Sequence, residues 1–113
     1  MIIKENLLLE HGAQHVFFDL NQEIFQEGQR ARFYYQIVEG TVELTNYNDS
    51  GKEFTQNIIS AGQCFGETVL FIDQPYPMSA VAKSYCHILK LSKTAFLGLL
   101  FRHPEISLNI FNV

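Results

Sequence analysis

The sequence has little cysteine and no long apolar run. Its two cysteines, Cys64 and Cys86, lie too far apart for a zinc knuckle or a CxxC redox motif. We therefore expect two buried apolar thiols in a reducing compartment; a disulfide would require a fold that brings their Cα atoms close. No stretch reaches the ~20 apolar residues that cross a bilayer, and residues 1–12 are too polar for a signal peptide. These absences predict a cytoplasmic protein without a membrane partner.

Basic residues are also few: eight Lys and Arg stand against twelve Asp and Glu, a formal net charge of −4. They are scattered along the chain and form no basic stripe in the sequence. A protein that binds duplex DNA needs such a stripe to neutralise phosphates. We therefore expect no direct nucleic-acid binding by this chain.

Signatures of metal binding and catalysis are missing as well. The four histidines show no HxH spacing, and Gly12 separates His11 from His15, which makes a shared helical face unfavourable. The phosphate-loop pattern GxxxxGK[ST] is absent, and no nucleophile–base pair has an informative spacing. The expectation is a protein that is not an enzyme and that needs neither a metal nor another cofactor.

The residues that are present predict one small β domain spanning residues 1–113. Hydrophobic residues make up 47% of the chain, with ten Phe and five Tyr, enough to bury a core. Glycines at positions 28, 40, 51 and 62 recur at intervals of 11 or 12 residues. Turns at this spacing between short apolar runs are typical of a β-sandwich or barrel.

The predicted elements follow that rhythm. A helix is expected over residues 2–10, and strands over residues 15–20, 23–25, 33–38, 41–47, 53–59, 78–82 and 87–91, with a tight hairpin turn at 48–51. Ser92 is a good N-cap for a helix that carries Phe96 and Leu100 on one face. His103-Pro104 ends this helix and begins another, whose stripe includes Ile106, Ile110 and Val113.

That last helix, residues 103–113, has an apolar stripe without an evident partner in the sequence. The stripe could pack on the β domain or on a second copy of the chain, and the sequence could also be a fragment that continues as a longer helix. A homodimer formed through this helix is one expectation.

One stretch, GQCFGETVL at residues 62–70, carries the pattern of a binding site. Gly62 makes a turn into a short strand, Gly66 allows close backbone approach, and Glu67 stands at the start of a short helix. Backbone N–H groups at such a start attract anions, and a carboxylate can accept hydrogen bonds from ligand hydroxyls. The alternative is that Glu67 only caps its own helix.

In context, these motifs resemble the cyclic nucleotide-binding domain. Glu27-Gly28, then YQIVEGTV at 35–42, Gly51 and GQCFGE at 62–67 occur in the family's order and at its distances. The resemblance runs from Phe18 to the C-terminus and is greatest to the sensor half of bacterial catabolite-activator (Crp/Fnr) transcription regulators. It implies a mainly β fold, an eight-stranded jelly-roll or β-roll with short flanking helices.

The resemblance also implies a ligand pocket that begins at Phe65-Gly66-Glu67. In the family, the glutamate that matches Glu67 holds the ribose 2′-hydroxyl, and amides near Gly66 and Glu67 contact the cyclic phosphate. An arginine about eleven residues after that glycine, followed by small residues, pairs with the phosphate charge. The candidate pocket residues are Phe65, Gly66, Glu67, Thr68, Met78, Ser79 and Ala80.

The phosphate arginine is missing from this sequence. Pro77 or Met78 stands in its place, and no Lys or Arg occurs between Lys52 and Lys83. A charge-assisted hydrogen bond contributes roughly 1.5–3 kcal/mol, so its loss weakens binding at least about tenfold. We expect that cyclic AMP does not bind at micromolar concentration. Ser79 could donate a hydrogen bond to a ligand, or simply be a strand residue facing a neighbour, and Lys83 could replace the cation or remain solvated.

The favoured function is a ligand-sensing domain of a Crp/Fnr-type regulator, in which an unknown small-molecule effector biases the C-terminal helix and a DNA-binding domain outside this chain. The alternative is a stand-alone small-molecule-binding or protein-interaction module with a vestigial pocket. A third hypothesis, a metal-dependent enzyme related to the cupins, lacks the histidine pattern of that family.

Overall fold

The computed structural model describes residues 3–47 and 53–106. In these residues three helices accompany eight strands. The helices are α1 (Glu5–Glu10), α2 (Thr68–Ile72) and α3 (Lys93–Arg102). The strands are β1 (Gln14–Phe18), β2 (Glu23–Phe25), β3 (Phe33–Glu39), β4 (Thr41–Tyr47), β5 (Glu53–Ser60), β6 (Cys64–Phe65), β7 (Ser79–Ala82) and β8 (Cys86–Ser92).

The strands form two four-stranded antiparallel sheets. One has the order β1-β8-β3-β6 and the other the order β2-β7-β4-β5. This arrangement confirms the predicted mainly β fold. Strands β2 and β4 have the predicted bounds, and the other predicted strands differ from the structure by one or two residues at their ends. The tight turn expected at residues 48–51 lies outside the described residues.

Strand β3 is buried on both faces, which explains its nearly continuous apolar run. Tyr34 stacks on Phe96 of α3, with ring centroids 4.5 Å apart. On the opposite face Tyr35 stacks on Phe65, at 5.2 Å. A strand that is covered on both faces does not alternate between hydrophobic and polar residues. Strand β3 therefore contributes to the core on both of its faces.

Helix α1 begins later than the sequence predicts, at Glu5 instead of residue 2. Lys4 is extended, and the preceding Ile3 is buried in the core. The Ile3 carbonyl accepts a hydrogen bond of 2.7 Å from the buried Gln36 amide. This bond holds the segment before α1 in a non-helical path against β3.

Helix α3 begins as predicted, because the Ser92 hydroxyl accepts a hydrogen bond from the Ala95 N–H at 3.2 Å. It ends at His103, and a further helical turn follows from Pro104, which confirms the predicted break. Ile106 is half-buried and packs against the core. Ile110 and Val113, the rest of the expected apolar stripe, lie outside the described residues.

The two cysteines lie on strands on either side of β3 and are both free. Cys86 is buried, as expected, whereas Cys64 is half-buried. In the described residues no helix is long and apolar enough to cross a membrane.

Candidate functional site

A cavity of about 210 Å³ opens at the sequence motif around Glu67. Its walls come from β4, β5, β6, the start of α2 and the loop before β7. The lining residues are Leu44, Asn57, Ile59, Cys64, Phe65, Gly66, Glu67, Thr68, Val69, Pro77 and Met78. The fold thus brings five of the seven predicted pocket residues to one cavity, namely Phe65, Gly66, Glu67, Thr68 and Met78.

Backbone hydrogen bonds to β3 position the motif. The Gly62 N–H donates to the Ile37 carbonyl at 2.8 Å, and the Ile37 N–H donates to the Gln63 carbonyl at 2.9 Å. These bonds set the register in which Phe65 pairs with Tyr35. The short strand β6 therefore delivers Gly66 and Glu67 to the cavity from a buried part of the sheet.

Gly66 is required by its backbone angle and by its surroundings. Its φ of +76° lies in the left-handed region. A Cβ atom at this position would lie 3.1 Å from the Tyr76 ring and 3.4 Å from the Phe25 ring. The sequence predicted close approach at this glycine, and the groups that approach it in the structure are these two aromatic rings.

The Glu67 side chain does not cap its own helix. Glu67 occupies the N-cap position of α2 but makes no side-chain capping hydrogen bond there. Only its carbonyl takes part, accepting from the Leu70 N–H at 3.1 Å. The interpretation of Glu67 as a simple helix cap is therefore wrong, and its half-buried carboxylate belongs to the cavity wall.

Cys64 adds a neutral thiol beside that carboxylate. Burial, and then the negative charge of Glu67, raise the pKa of Cys64 to about 12. The thiol therefore stays protonated at neutral pH and is a poor nucleophile. This part of the wall offers a carboxylate acceptor and a weak S–H donor.

Among the residues that the structure describes, none that lines the cavity is a lysine or an arginine. Met78 and Pro77, the two candidates for the place of the family's arginine, both contribute to the lining with uncharged side chains. The other wall residues from the strands are mainly aliphatic. Lys83, which the sequence suggested as a substitute cation, is exposed and does not line the cavity.

Ser79 and Ala80 are buried in β7 and do not line this cavity. The Ser79 hydroxyl accepts a hydrogen bond of 2.9 Å from the Glu27 N–H. Next to it, the Asn46 amide donates to the Glu27 carboxylate at 3.0 Å and also to the Pro77 carbonyl. The side chains of Ser79 and Asn46 thus hydrogen-bond the loop after β2 to the segment where the family's phosphate-binding arginine would stand.

Several wall residues had no signal in the sequence. These residues come from β4 and β5, which belong to the other sheet, and they are Leu44, Asn57 and Ile59. Strand pairing brings them to the cavity, and a single sequence does not show that pairing.

The histidines do not gather into a metal site. His15 Nδ1 lies 2.8 Å from His87 Nε2 on neighbouring strands, while His11 Nδ1 lies 3.0 Å from the Leu7 carbonyl oxygen. Within residues 3–47 and 53–106 no group of three or more His, Cys, Asp or Glu side chains is arranged to hold a metal ion.

Comparison with known proteins identifies the same family as the motifs do. The family model for the cyclic nucleotide-binding domain matches residues 15–103. A cAMP-activated global transcriptional regulator CRP from Haemophilus influenzae is 33% identical over 85 residues, which are 74% of this chain and 38% of that protein. A cAMP-dependent protein kinase regulatory subunit from Eremothecium gossypii is 32% identical over 93 residues, 82% of this chain and 19% of that protein.

Among solved structures, the Thermus thermophilus catabolite activator protein superposes with a TM-score of 0.85 at 28% identity. The match covers 93% of this chain and 49% of that one. The chain thus spans less than half the length of each of these three proteins.

Proposed function

The chain belongs to the cyclic nucleotide-binding domain family, and on that premise we propose that it is the ligand-sensing domain of a Crp/Fnr-type transcription regulator. The relative from Haemophilus influenzae and the structural neighbour from Thermus thermophilus, both named as regulators or activators, support this assignment. In this proposal residues 1–113 are one sensor domain, residues 103–113 begin the helix that relays the signal, and DNA binding belongs to a region outside this chain. The proposal assigns no catalytic step to the domain.

The effector, in this proposal, is not a tightly bound cyclic nucleotide. The observation that carries it is the lining of the cavity, whose described residues include Glu67 and no lysine or arginine. A cyclic phosphate placed there would lose the charge-assisted bonds of the arginine and would also face a like charge. Both effects act in the same direction and weaken binding.

The cavity favours a small molecule that is uncharged or cationic. Leu44, Ile59 and Val69 offer apolar contacts, and Glu67 can accept hydrogen bonds from hydroxyl or amino groups. The volume of about 210 Å³ is below the roughly 300–1,000 Å³ of common ligand pockets. A compact ligand with at least one donor group fits these walls best.

The test restores the missing charge. Isothermal titration with cyclic AMP compares the native protein with Met78→Arg, and Pro77→Arg serves as the control for the alternative alignment. We expect one of the two arginine variants to bind cyclic AMP at least about tenfold more tightly than the native protein, because a charge-assisted bond to phosphate is regained. Micromolar binding by the native protein, or no gain in either folded variant, would contradict the proposal.

A further inference from the structure

The basic residues that are scattered in the sequence are not scattered in space. Four of the eight, Arg30, Arg32, Lys90 and Lys93, line two adjoining depressions on one side of the domain. The depressions have volumes of about 400 and 410 Å³ and share Arg30, Arg32 and Phe33. We call this surface the basic groove. Half of the positive charge of an acidic protein is thus concentrated in one place.

The charges of the groove are only partly neutralised within the protein. Asp73 lies 3.2 Å from Lys93 and 3.9 Å from Arg30, and these ion pairs are largely exposed. The hydrogen bond and charge of Lys93, followed by the charge of Arg30, hold the pKa of the Asp73 carboxyl below its usual range. Within the described residues, one carboxylate therefore pairs with two of the four cations.

The remaining two cations have no carboxylate partner within the described residues. Lys90 Nζ lies 3.9 Å from the centroid of the Phe33 ring, in a cation–π contact that leaves its donors open. The Arg32 guanidinium has neither an ion pair nor a hydrogen bond with the described part of the chain. A guanidinium and an ammonium group without a carboxylate partner, both in a concave surface, are what a phosphate-bearing ligand needs.

The backbone around the groove is already hydrogen-bonded. Arg30 forms an isolated antiparallel bridge with Pro75, and the Arg32 carbonyl accepts from the Lys93 N–H at 2.8 Å. An extended peptide would need free backbone groups to pair with, and in the segment that carries the two arginines these bonds are already formed. The groove is instead a concave patch whose volume falls in the range of small-ligand sites.

From these observations we propose that the basic groove binds small oligophosphate anions. The site is separate from the cavity at Glu67. An aromatic layer lies between the two, because Phe65 lines the cavity while its stacking partner Tyr35 lines the groove. The inference therefore does not depend on the function proposed for the cavity.

The test uses inorganic triphosphate as the probe, titrated calorimetrically into the purified chain at an ionic strength of about 0.1 M, where the Debye length is about 10 Å. The double variant Arg30→Gln and Arg32→Gln is compared with the double variant Lys4→Gln and Lys83→Gln, which removes the same charge from exposed positions outside the groove. We expect the first pair to weaken binding about tenfold or more and the second to change it little.

Asp73→Asn provides a change in the opposite direction. Asp73 has φ +52°, a conformation that asparagine tolerates well, so the variant is expected to fold. Removing the internal carboxylate frees Lys93 and Arg30, and triphosphate should bind up to about fivefold more tightly, the range of one exposed ion pair.

ATP in place of triphosphate distinguishes a nucleotide from a free oligophosphate, and binding of either one supports the proposal.

Three results would overturn the inference. One is the absence of triphosphate binding to the native chain. Another is an equal loss in the Lys4 and Lys83 control, which would mean attraction by net charge alone. The third is a hexaglutamate peptide that competes as well as triphosphate does, because it would assign the groove to acidic protein segments.

Discussion

The rings of Tyr76 and Phe25 stack with their centroids 3.6 Å apart and their planes within 8°. This pair lies directly against Gly66, the second glycine of the binding motif. Tyr76 lies in the segment that connects α2 to β7, and Phe25 ends β2, so the stack joins two distant parts of the chain. The motif glycine therefore has a packing role as well as its place at the cavity.

Gly66→Ala is expected to destabilise the protein by more than Gly62→Ala. Both glycines have positive φ, +76° and +87°, and alanine there costs about 1–2 kcal/mol of strain. A Cβ at Gly62 meets no atom within 4 Å, whereas one at Gly66 meets both rings. Overpacking adds about 1 kcal/mol or more at Gly66. Urea denaturation measures both free energies of unfolding, and equal losses would show that the rings yield without cost.

Gln36 connects the segment before α1 to the core, and its removal should be costly. The buried Gln36 side chain accepts from the Tyr34 hydroxyl at 2.6 Å and donates to the Ile3 carbonyl at 2.7 Å. Gln36→Leu leaves the buried Ile3 carbonyl unpaired and removes the Gln36 acceptor from the Tyr34 hydroxyl, which keeps the Cys64 thiol as its partner. We expect a loss of about 2–4 kcal/mol in the free energy of unfolding.

The double variant Tyr34→Phe and Gln36→Leu is the control for that prediction. It removes the hydroxyl that loses its Gln36 acceptor in Gln36→Leu, so it should be no less stable than the single variant and up to about 1 kcal/mol more stable, because a thiol is a weak partner. Chemical denaturation of the three proteins checks the order. A double variant that is clearly less stable than Gln36→Leu would contradict a shared hydrogen bond.

The sequence predicted the strands well where local rules decide them. Strand β4 alternates clearly, and its bounds, Thr41–Tyr47, are as expected. The late start of α1 could not be foreseen, since it depends on a hydrogen bond between Gln36 and the Ile3 carbonyl, far apart in sequence. The basic groove was missed for the same reason: its four cations come from a loop, from β8 and from α3.

Alkaline pH should destabilise the protein, in part through Cys64. Folding raises the pKa of this thiol from 9.0 to about 12, so the folded state keeps a proton that the unfolded state loses. The stabilisation is fully present below pH 9 and is lost as the pH rises from about 9 towards 12. The buried tyrosines Tyr34, Tyr35 and Tyr76, whose pKa values are also raised by burial, act in the same direction.

The contribution of Cys64 can be isolated with Cys64→Ala. Between pH 8 and pH 10 we expect the native protein to lose about 1 kcal/mol more of its free energy of unfolding than the variant does. Urea denaturation at the two pH values in a reducing buffer gives the difference. Identical pH dependence in the two proteins would show that the thiol is not desolvated by folding.

Ser79 allows a folding role to be separated from a ligand role. Its hydroxyl accepts from the Glu27 N–H, so Ser79→Ala should cost about 1 kcal/mol in the free energy of unfolding whether or not a ligand binds. Ser79 does not line the cavity of the native protein, but it directly follows Met78, which does, and a hydroxyl that accepts one hydrogen bond can still donate another. In the Met78→Arg background, we expect Ser79→Ala to weaken cyclic AMP binding severalfold, about the effect of one neutral hydrogen bond. Ser84→Ala is the matched control, because the Ser84 hydroxyl also accepts a backbone N–H, from Thr41, and neither Ser84 nor its two chain neighbours line the cavity. An equal loss of affinity in both variants would assign the effect to stability alone and leave Ser79 as a purely structural residue.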